Sequence, residues 1–175
     1  GNPFLNACNY NGAQASLNVL YGAGLKKATD QVQGNLLSFS QQDYVTVHGD
    51  LSLGEIGYVY VPTSCQRGEE CRLLISFHGC EQTLDDVGLD FVTKSGQNEI
   101  AEANNLIILY PQVKKSLISP TNPMGCFDWW GYNSELIPFF PTTTGYATKI
   151  GPQVEAIWKM ALQLAEEESD PTWIF

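Results

Sequence analysis

The sequence predicts an α/β domain, and three observations carry that expectation. Two short apolar runs, Leu73-Leu74-Ile75-Ser76-Phe77 and Leu106-Ile107-Ile108-Leu109-Tyr110, have the length and content of strands, and the second, nearly continuous and halted by Pro111, reads as a buried parallel strand. Between them a helical stretch over residues 95–104 places Ile100, Ala101 and Ala103 on its apolar side. Strand, helix and strand then form a βαβ unit, whose crossover is expected to be right-handed. The third observation is Ile56-Gly57-Tyr58-Val59-Tyr60-Val61, rich in aromatic and β-branched residues and stopped by Pro62. Three convincing strands make a partial sheet, expected to have an uncovered edge and an exposed apolar face.

The remaining elements follow in order. Asn11 is a good N-cap, and Ala13, Leu17, Leu20 and Tyr21 recur behind it at helical spacing until Gly22. Residues 23–55 are rich in Gly, Ser, Asn, Gln and Asp, with brief apolar touches at Leu36, Leu37 and Phe39, and read as loop with one short strand at most. Polar residues after Cys80 predict loop up to the 95–104 helix. Residues 111–148 carry five prolines and the aromatics Phe127, Trp129, Trp130, Tyr132, Phe139 and Phe140; irregular stretches this long usually wrap a site. A last helix starts near Lys149, with Ile150, Val154, Ile157, Trp158, Ala161 and Leu162 on one face, and Pro171 closes it.

At 175 residues the chain suits one domain, 1–175, with no repeat, low-complexity tract or clear linker. Charged residues are 16%, against roughly 25% in ordinary soluble domains, so much of the surface is polar and uncharged. The net charge of -10 repels phosphate backbones and anionic lipid, which argues against nucleic acid or membrane as partner. No apolar run approaches the roughly 18 to 20 residues of a membrane span, and Gly1-Asn2-Pro3-Phe4 lacks a leader pattern.

The five cysteines say more. Cys65 and Cys71 flank a five-residue polar loop, a spacing that suits a local disulfide closing a hairpin tip. No second close Cys or His pair accompanies them, which disfavours zinc or another metal. Cys80 and Cys126 each follow a glycine and form the second candidate pair, although other pairings stay open. Cys8 is then left over, a first hint of an absent partner. Disulfides imply an oxidising, extracellular or periplasmic setting.

The search for a nucleophile fails. An α/β-type serine hydrolase needs G-x-S-x-G, whose small residues allow the strained turn that exposes the serine, and no such motif is present. Of the two histidines, His48 lies in a polar stretch and reads as an exposed loop residue. His78 is followed by Gly79 at a strand end, where such hydrolases turn backbone N–H groups toward a developing oxyanion. Its imidazole would support the loop without carrying a proton.

These residues carry a family resemblance. His78-Gly79-Cys80-Glu81-Gln82, then Asn105 to Gln112, Asn122-Pro123, Gly125-Cys126-Phe127-Asp128-Trp129-Trp130-Gly131-Tyr132, Tyr146-Ala147-Thr148-Lys149 and Gly151-x-Gln153 resemble the carboxyl-terminal part of secreted poly(3-hydroxybutyrate) depolymerases. The Asn2-Pro3-Phe4 to Cys8-Asn9-Tyr10 start and the Gly57 to Pro62 strand fit the same family, so the likeness spans nearly the whole chain. The type resembled is a circularly permuted α/β-hydrolase whose Ser, Asp and His come first. The resemblance implies a partial α/β-hydrolase-type sheet without the triad, keeping half of the oxyanion hole in the backbone N–H of Cys80.

It further implies that Trp129, Trp130 and Tyr132 line a polyester crevice, although either tryptophan is equally readable as core. His78 and Gly79 support the oxyanion loop. Asp128 makes structural hydrogen bonds in a loop tied by a Cys80 to Cys126 disulfide, and Glu81 and Gln82 shape the turn. No cofactor is required. Where the family usually has Trp, this chain has Phe127, and residues 134–144 look like an enlarged loop. The expectation is a serine-type carboxylic-ester hydrolase acting on polyester, represented by its non-nucleophilic part, with the triad segment in the same or another chain and Cys8 facing it. Two alternatives are a non-catalytic aromatic polymer-binding module and a feruloyl or acetyl-xylan type esterase missing its carboxyl-terminal half. The part alone is expected to be inactive and poorly stable.

Overall fold

The computed structural model describes residues 3–6, 8–45, 49–134 and 145–167. His48, Phe139, Phe140, most of the 134–144 loop and Pro171 lie outside the described residues. Helix α1 spans Gly12–Tyr21, with the Asn11 side chain accepting from the Gln14 N–H as N-cap and Gly22 at its end. The strands are β1 (Asn35–Ser40), β2 (Ile56–Val61), β3 (Arg72–Ile75) and β4 (Leu106–Tyr110). After β2 come the short helix α2 (Thr63–Gln66), and after β3 the turns of helix α3 (Leu84–Val87) and α4 (Asp90–Lys94), then α5 (Gln97–Asn104). The last helix, α6, is Pro152–Glu167.

The sheet is mixed, ordered β1-β2-β4-β3. β1 pairs antiparallel with β2, from Asn35↔Val61 to Ser40↔Ile56, and β2 antiparallel with β4, Tyr58↔Tyr110 to Tyr60↔Ile108. β3 and β4 are parallel, Arg72↔Leu106 to Ile75↔Leu109, as the βαβ reading requires. Strand side chains alternate between faces, and two cores result. On one face Val59, Val61, Ile107 and Leu109 pack with Leu53, Val113 and α6 through Ala156, Ile157, Met160, Ala161 and Leu164. On the other, Tyr60, Leu106, Ile108 and Tyr110 pack with Leu17 of α1 and Ile100 and Ala101 of α5. Every β4 residue is buried, the signature of a central strand covered on both faces.

Several expectations are corrected. Among the described residues the sheet has four strands: beside the three convincing ones, the short strand allowed within residues 23–55 forms at Leu36, Leu37 and Phe39 as an edge strand on β2. The polar stretch after Cys80 holds α3 and α4, whose turns are too short to show helical periodicity. Leu20 is exposed, so only Leu17 anchors α1 fully. Cys65 and Cys71 do not close a hairpin, since β4 separates β2 from β3; their disulfide joins α2 to the start of β3. On α6 the apolar side is wider than one buried stripe, and Val154, Trp158 and Leu162 stay exposed, with Ile150 just ahead of the helix.

Candidate active site

β3 runs out at its carboxyl end into the turn His78-Gly79-Cys80-Glu81-Gln82, and four groups hold that turn. His78 is buried at 4% exposure. Its Nε2 accepts from the Val113 N–H at 3.3 Å while Nδ1–H donates to the Gly79 carbonyl at 2.8 Å, an arrangement only the neutral ring satisfies. Burial lowers its pKa below the ordinary imidazole value, and the Gly79 carbonyl opposes this. Val113 is itself fixed, because buried Gln41 accepts from the Gln112 N–H and donates to the carbonyls of Gly54 and Gln112.

Gln82 bridges two segments: its Oε1 accepts from the Gly79 N–H at 2.8 Å and its Nε2 donates to the Pro3 carbonyl at 2.9 Å. The Glu81 N–H donates to the Met124 carbonyl at 2.7 Å, and the Gln82 N–H to the Gly79 carbonyl. Glu81 adopts left-handed backbone at φ 60, which swings the chain back toward the site. Three of the turn's amides are therefore occupied. Among the described residues the Cys80 N–H meets no acceptor, and Cys80 is exposed. Its side chain is bonded to Cys126, with Cα atoms 4.4 Å apart, so the amide is held from both sides.

The segment after Cys126 is ordered by Asn122, Asp128 and Gln153. Asn122 accepts from the Cys126 N–H and donates to its carbonyl. The Asp128 carboxylate accepts the N–H groups of Gly131, Tyr132 and Asn133 at 2.6, 2.9 and 3.0 Å. The carboxylate thus ties together the loop that follows it. Gln153 accepts from the Asp128 N–H and donates to the Tyr132 hydroxyl and the Leu51 carbonyl.

The aromatics divide accordingly. Trp129 is 69% exposed and meets Trp130 edge to face at 5.2 Å, so neither is a core residue. Trp130 leans on the Tyr132 ring. The Tyr132 hydroxyl donates to the Cys126 carbonyl, and burial pushes its pKa up. Tyr132 is thus a brace whose ring alone reaches the surface cluster. A separate apolar cleft of about 230 Å³ lies beside the turn, lined by Phe77, Phe127, Tyr146, Val154 and Trp158 among others. Phe127 packs edge to face on Phe77 and against the His78 ring. The cleft residues come from four distant stretches, and only their shared apolar character was visible beforehand. Among the described residues no three His, Cys, Asp or Glu side chains converge on a point a metal could fill.

The sheet, its flanking helices and a braced turn at the end of a parallel strand define an α/β-hydrolase-like frame. Over most of its length the chain is homologous to a segment of the poly(3-hydroxybutyrate) depolymerases. It is 36% identical over 163 residues to a poly(3-hydroxybutyrate) depolymerase of Delftia acidovorans, covering 91% of this chain and 30% of that one. It is 37% identical over 139 residues to a polyhydroxybutyrate depolymerase of Talaromyces funiculosus, covering 74% and 40%. The crystal structure of PHB depolymerase from Penicillium funiculosum matches with a TM-score of 0.76 at 34% identity, over 93% of this chain and 50% of that one. A PHB depolymerase with a serine-to-alanine substitution, complexed with R3HB trimer, matches at 0.75 and 33%. No family model matches. The chain spans at most 40% of these curated relatives and half of the solved chains.

Proposed function

We propose that this chain is the oxyanion and substrate-binding part of a secreted serine-type carboxylic-ester hydrolase acting on poly(3-hydroxyalkanoate). The observation that carries the reading is the Cys80 amide. In a turn where the N–H groups of Gly79, Glu81 and Gln82 are committed, the exposed Cys80 amide meets no acceptor among the described residues and is fixed by a disulfide. Fixed donors aimed at developing charge cost no reorganisation during reaction, and removing one such donor typically costs about 10²- to 10³-fold in rate. The nucleophile, its histidine and its acid come from the triad segment of a circularly permuted arrangement, outside these 175 residues.

In the complete enzyme a serine, deprotonated by histidine, attacks the ester carbonyl. The oxyanion is held by the Cys80 N–H and by the amide after the serine, and water then releases the acyl group. His78, neutral and hydrogen-bonded at both nitrogens, sets the turn and moves no proton. Trp129, Trp130 and the Tyr132 ring offer flat apolar surface to alkyl ester units. No metal or cofactor enters the reaction. The relative complexed with R3HB trimer supports this substrate class. The two disulfides suit an extracellular setting.

The test is hydrolysis of an (R)-3-hydroxybutyrate trimer by the polypeptide of the complete reading frame, with and without an organofluorophosphonate that labels reactive serine. Hydrolysis that the reagent stops, with the label outside this segment, is the expected result. Turnover by these 175 residues alone, or turnover indifferent to the reagent, would sink the proposal. Binding of the trimer with no turnover by the complete polypeptide would favour the polymer-binding module.

A further inference from the structure

The cations of this chain are unevenly satisfied. Against 19 acidic residues stand 9 basic ones, and Arg67, Lys94, Lys114, Lys115 and Lys159 each pair with a carboxylate. Lys26, Lys27 and Arg72 meet no carboxylate among the described residues, although the net charge of -10 leaves acidic groups in excess. Two of these three, Lys26 and Arg72, face the same place.

They line a hollow of about 350 Å³ together with Tyr21, Leu25, Asn104 and Asn105. Arg72 opens β3, so the hollow lies at the end of that strand away from the Cys80 turn. Its frame is fixed by side chains from several elements. Asn104 clasps the Lys26 backbone on both sides, accepting from its N–H at 2.7 Å and donating to its carbonyl at 3.0 Å. The Tyr21 hydroxyl donates to the Leu73 carbonyl at 2.7 Å, and the Arg72 guanidinium lies over the Tyr21 ring, 4.8 Å from its centre. Asn105 accepts from the Ser64 hydroxyl and donates to Glu69, a carboxylate already matched by Arg67. Cations beside a helix carboxyl end ordinarily offset its open carbonyls. In α5 the Ile100 and Ala101 carbonyls accept from the Asn104 side chain and the Asn105 N–H, so that role is already partly filled.

We propose that this hollow is a second, non-catalytic binding site for a small organic carboxylate, with Arg72 as the fork that takes the carboxylate and Lys26 as the second charge. The class of ligand follows from the lining. A guanidinium offers parallel N–H donors that match a planar carboxylate, and the ammonium adds charge without demanding a geometry. The predominantly polar lining suits a hydroxyl group, while the Tyr21 ring and the partly buried Leu25 offer a wall for a short alkyl chain. The volume is that of a small-molecule site. Each ester cut leaves one carboxylate, so short 3-hydroxyalkanoates are the acids that fit. That choice of acid rests on the hydrolase reading above; the carboxylate site rests on Arg72 and Lys26 alone.

The test titrates the complete polypeptide, isotope-labelled and with its reactive serine blocked by the organofluorophosphonate, with (R)-3-hydroxybutyrate at low salt. Magnetic resonance follows the Arg72 Nε–H and the backbone amides of Lys26 and Asn105. Saturable movement of these signals, with the Arg67 Nε–H unmoved, is the expected result. Arg72→Gln and Lys26→Gln should each weaken binding by about 10-fold or more, the loss of one charge-assisted bond. Lys94→Gln, on a cation already paired with Asp90, should leave the affinity unchanged. Where circular dichroism finds Arg72→Gln misfolded, Arg72→Lys takes its place; it keeps the charge, loses the fork and should weaken binding less. The uncharged methyl ester of the same acid should not bind. No saturable movement, an affinity indifferent to both positions, an ester that binds as well as the acid, or inorganic phosphate that binds as tightly would each overturn the site. A polypeptide that the reagent fails to label refutes the hydrolase reading alone, because the same titration run without the block still decides the site.

Discussion

Gly125 and Gly68 form a matched pair that separates backbone strain from packing at the disulfide holding the turn. Both have positive φ, +60 at Gly125 and +82 at Gly68. A Cβ at Gly68 meets nothing within 4 Å, whereas one at Gly125 lies 2.2 Å from Thr83 Cγ2 and 3.3 Å from Lys115 Cγ. Thr83 cannot easily yield. It is buried, its hydroxyl donates to Asp86 at 2.7 Å, and Asp86 in turn pairs with Lys115. Alanine in left-handed backbone costs about 1–2 kcal/mol, partly offset by about 0.4–1 kcal/mol from the stiffer unfolded chain. Gly68→Ala should therefore lose about 1 kcal/mol. Gly125→Ala carries the same backbone cost plus about 1–3 kcal/mol of overpacking. Urea unfolding followed by far-ultraviolet circular dichroism gives both values, provided the slope with denaturant is unchanged. Equal losses in the two variants would refute the packing argument.

Other outcomes follow from the same geometry. His78 has a folded pKa below its unfolded value, so the unfolded chain binds the extra proton first; its stabilisation is complete above about pH 6.5 and is lost as pH falls toward the folded value. Subtracting the pH profile of His78→Gln should isolate that loss, and a wild-type profile parallel to the variant's would contradict it. Removing the Cys80–Cys126 bridge, with a sequence separation of 46, should cost about 4 kcal/mol by loop entropy, against about 2 kcal/mol for Cys65–Cys71 with a separation of 6. Denaturant midpoints of the two double alanine variants in the reverse order would rule that out. Asp128→Ala removes three charge-assisted bonds and should cost about 2 kcal/mol or more. It should also weaken the near-ultraviolet dichroism of the Trp129–Trp130 pair; a native spectrum would show that the carboxylate does not order this loop.

The central fold was legible because its strands carry their burial in their composition. Leu106 to Tyr110 is apolar at every position and sits covered on both faces, and the parallel pairing with β3 follows from the helix between them. β1 was harder, since Asn35 and two serines dilute its pattern, and an edge strand needs only one half-covered face. On α6 the letters at 154, 158 and 162, like 150 just ahead of it, are as apolar as those at 157 and 161, and periodicity cannot say which face this chain covers itself. Ile157 and Ala161 are buried against the sheet while Val154 and Trp158 are not.

The candidate site was legible only where side chains do the work. The two Gly-Cys pairs pointed to a candidate bridge, and the family resemblance implied structural hydrogen bonds for Asp128. The donor at Cys80 is a backbone property, set by what its neighbours do with their own amides. Gln82 takes the Gly79 N–H, Met124 takes that of Glu81, and the left-handed Glu81 turns the chain between them. Apart from the local bond between Gln82 and Gly79, these contacts join positions that no spacing rule would pair. Gln82 to Pro3 spans 79 residues, and Val113 to His78 spans 35. Preorganisation of the amide is thus a product of tertiary structure, while the bond that locks it, Cys80 to Cys126, was one candidate pairing among those the cysteines left open. Shifting one brace should therefore move the amide without touching Cys80: Gln82→Ala frees the Gly79 N–H and unties Pro3, and in the complete enzyme it should lower kcat toward the loss of about 10²-fold seen when one donor is removed, with KM little changed. An unaltered kcat would mean that the turn is held by the disulfide and His78 alone.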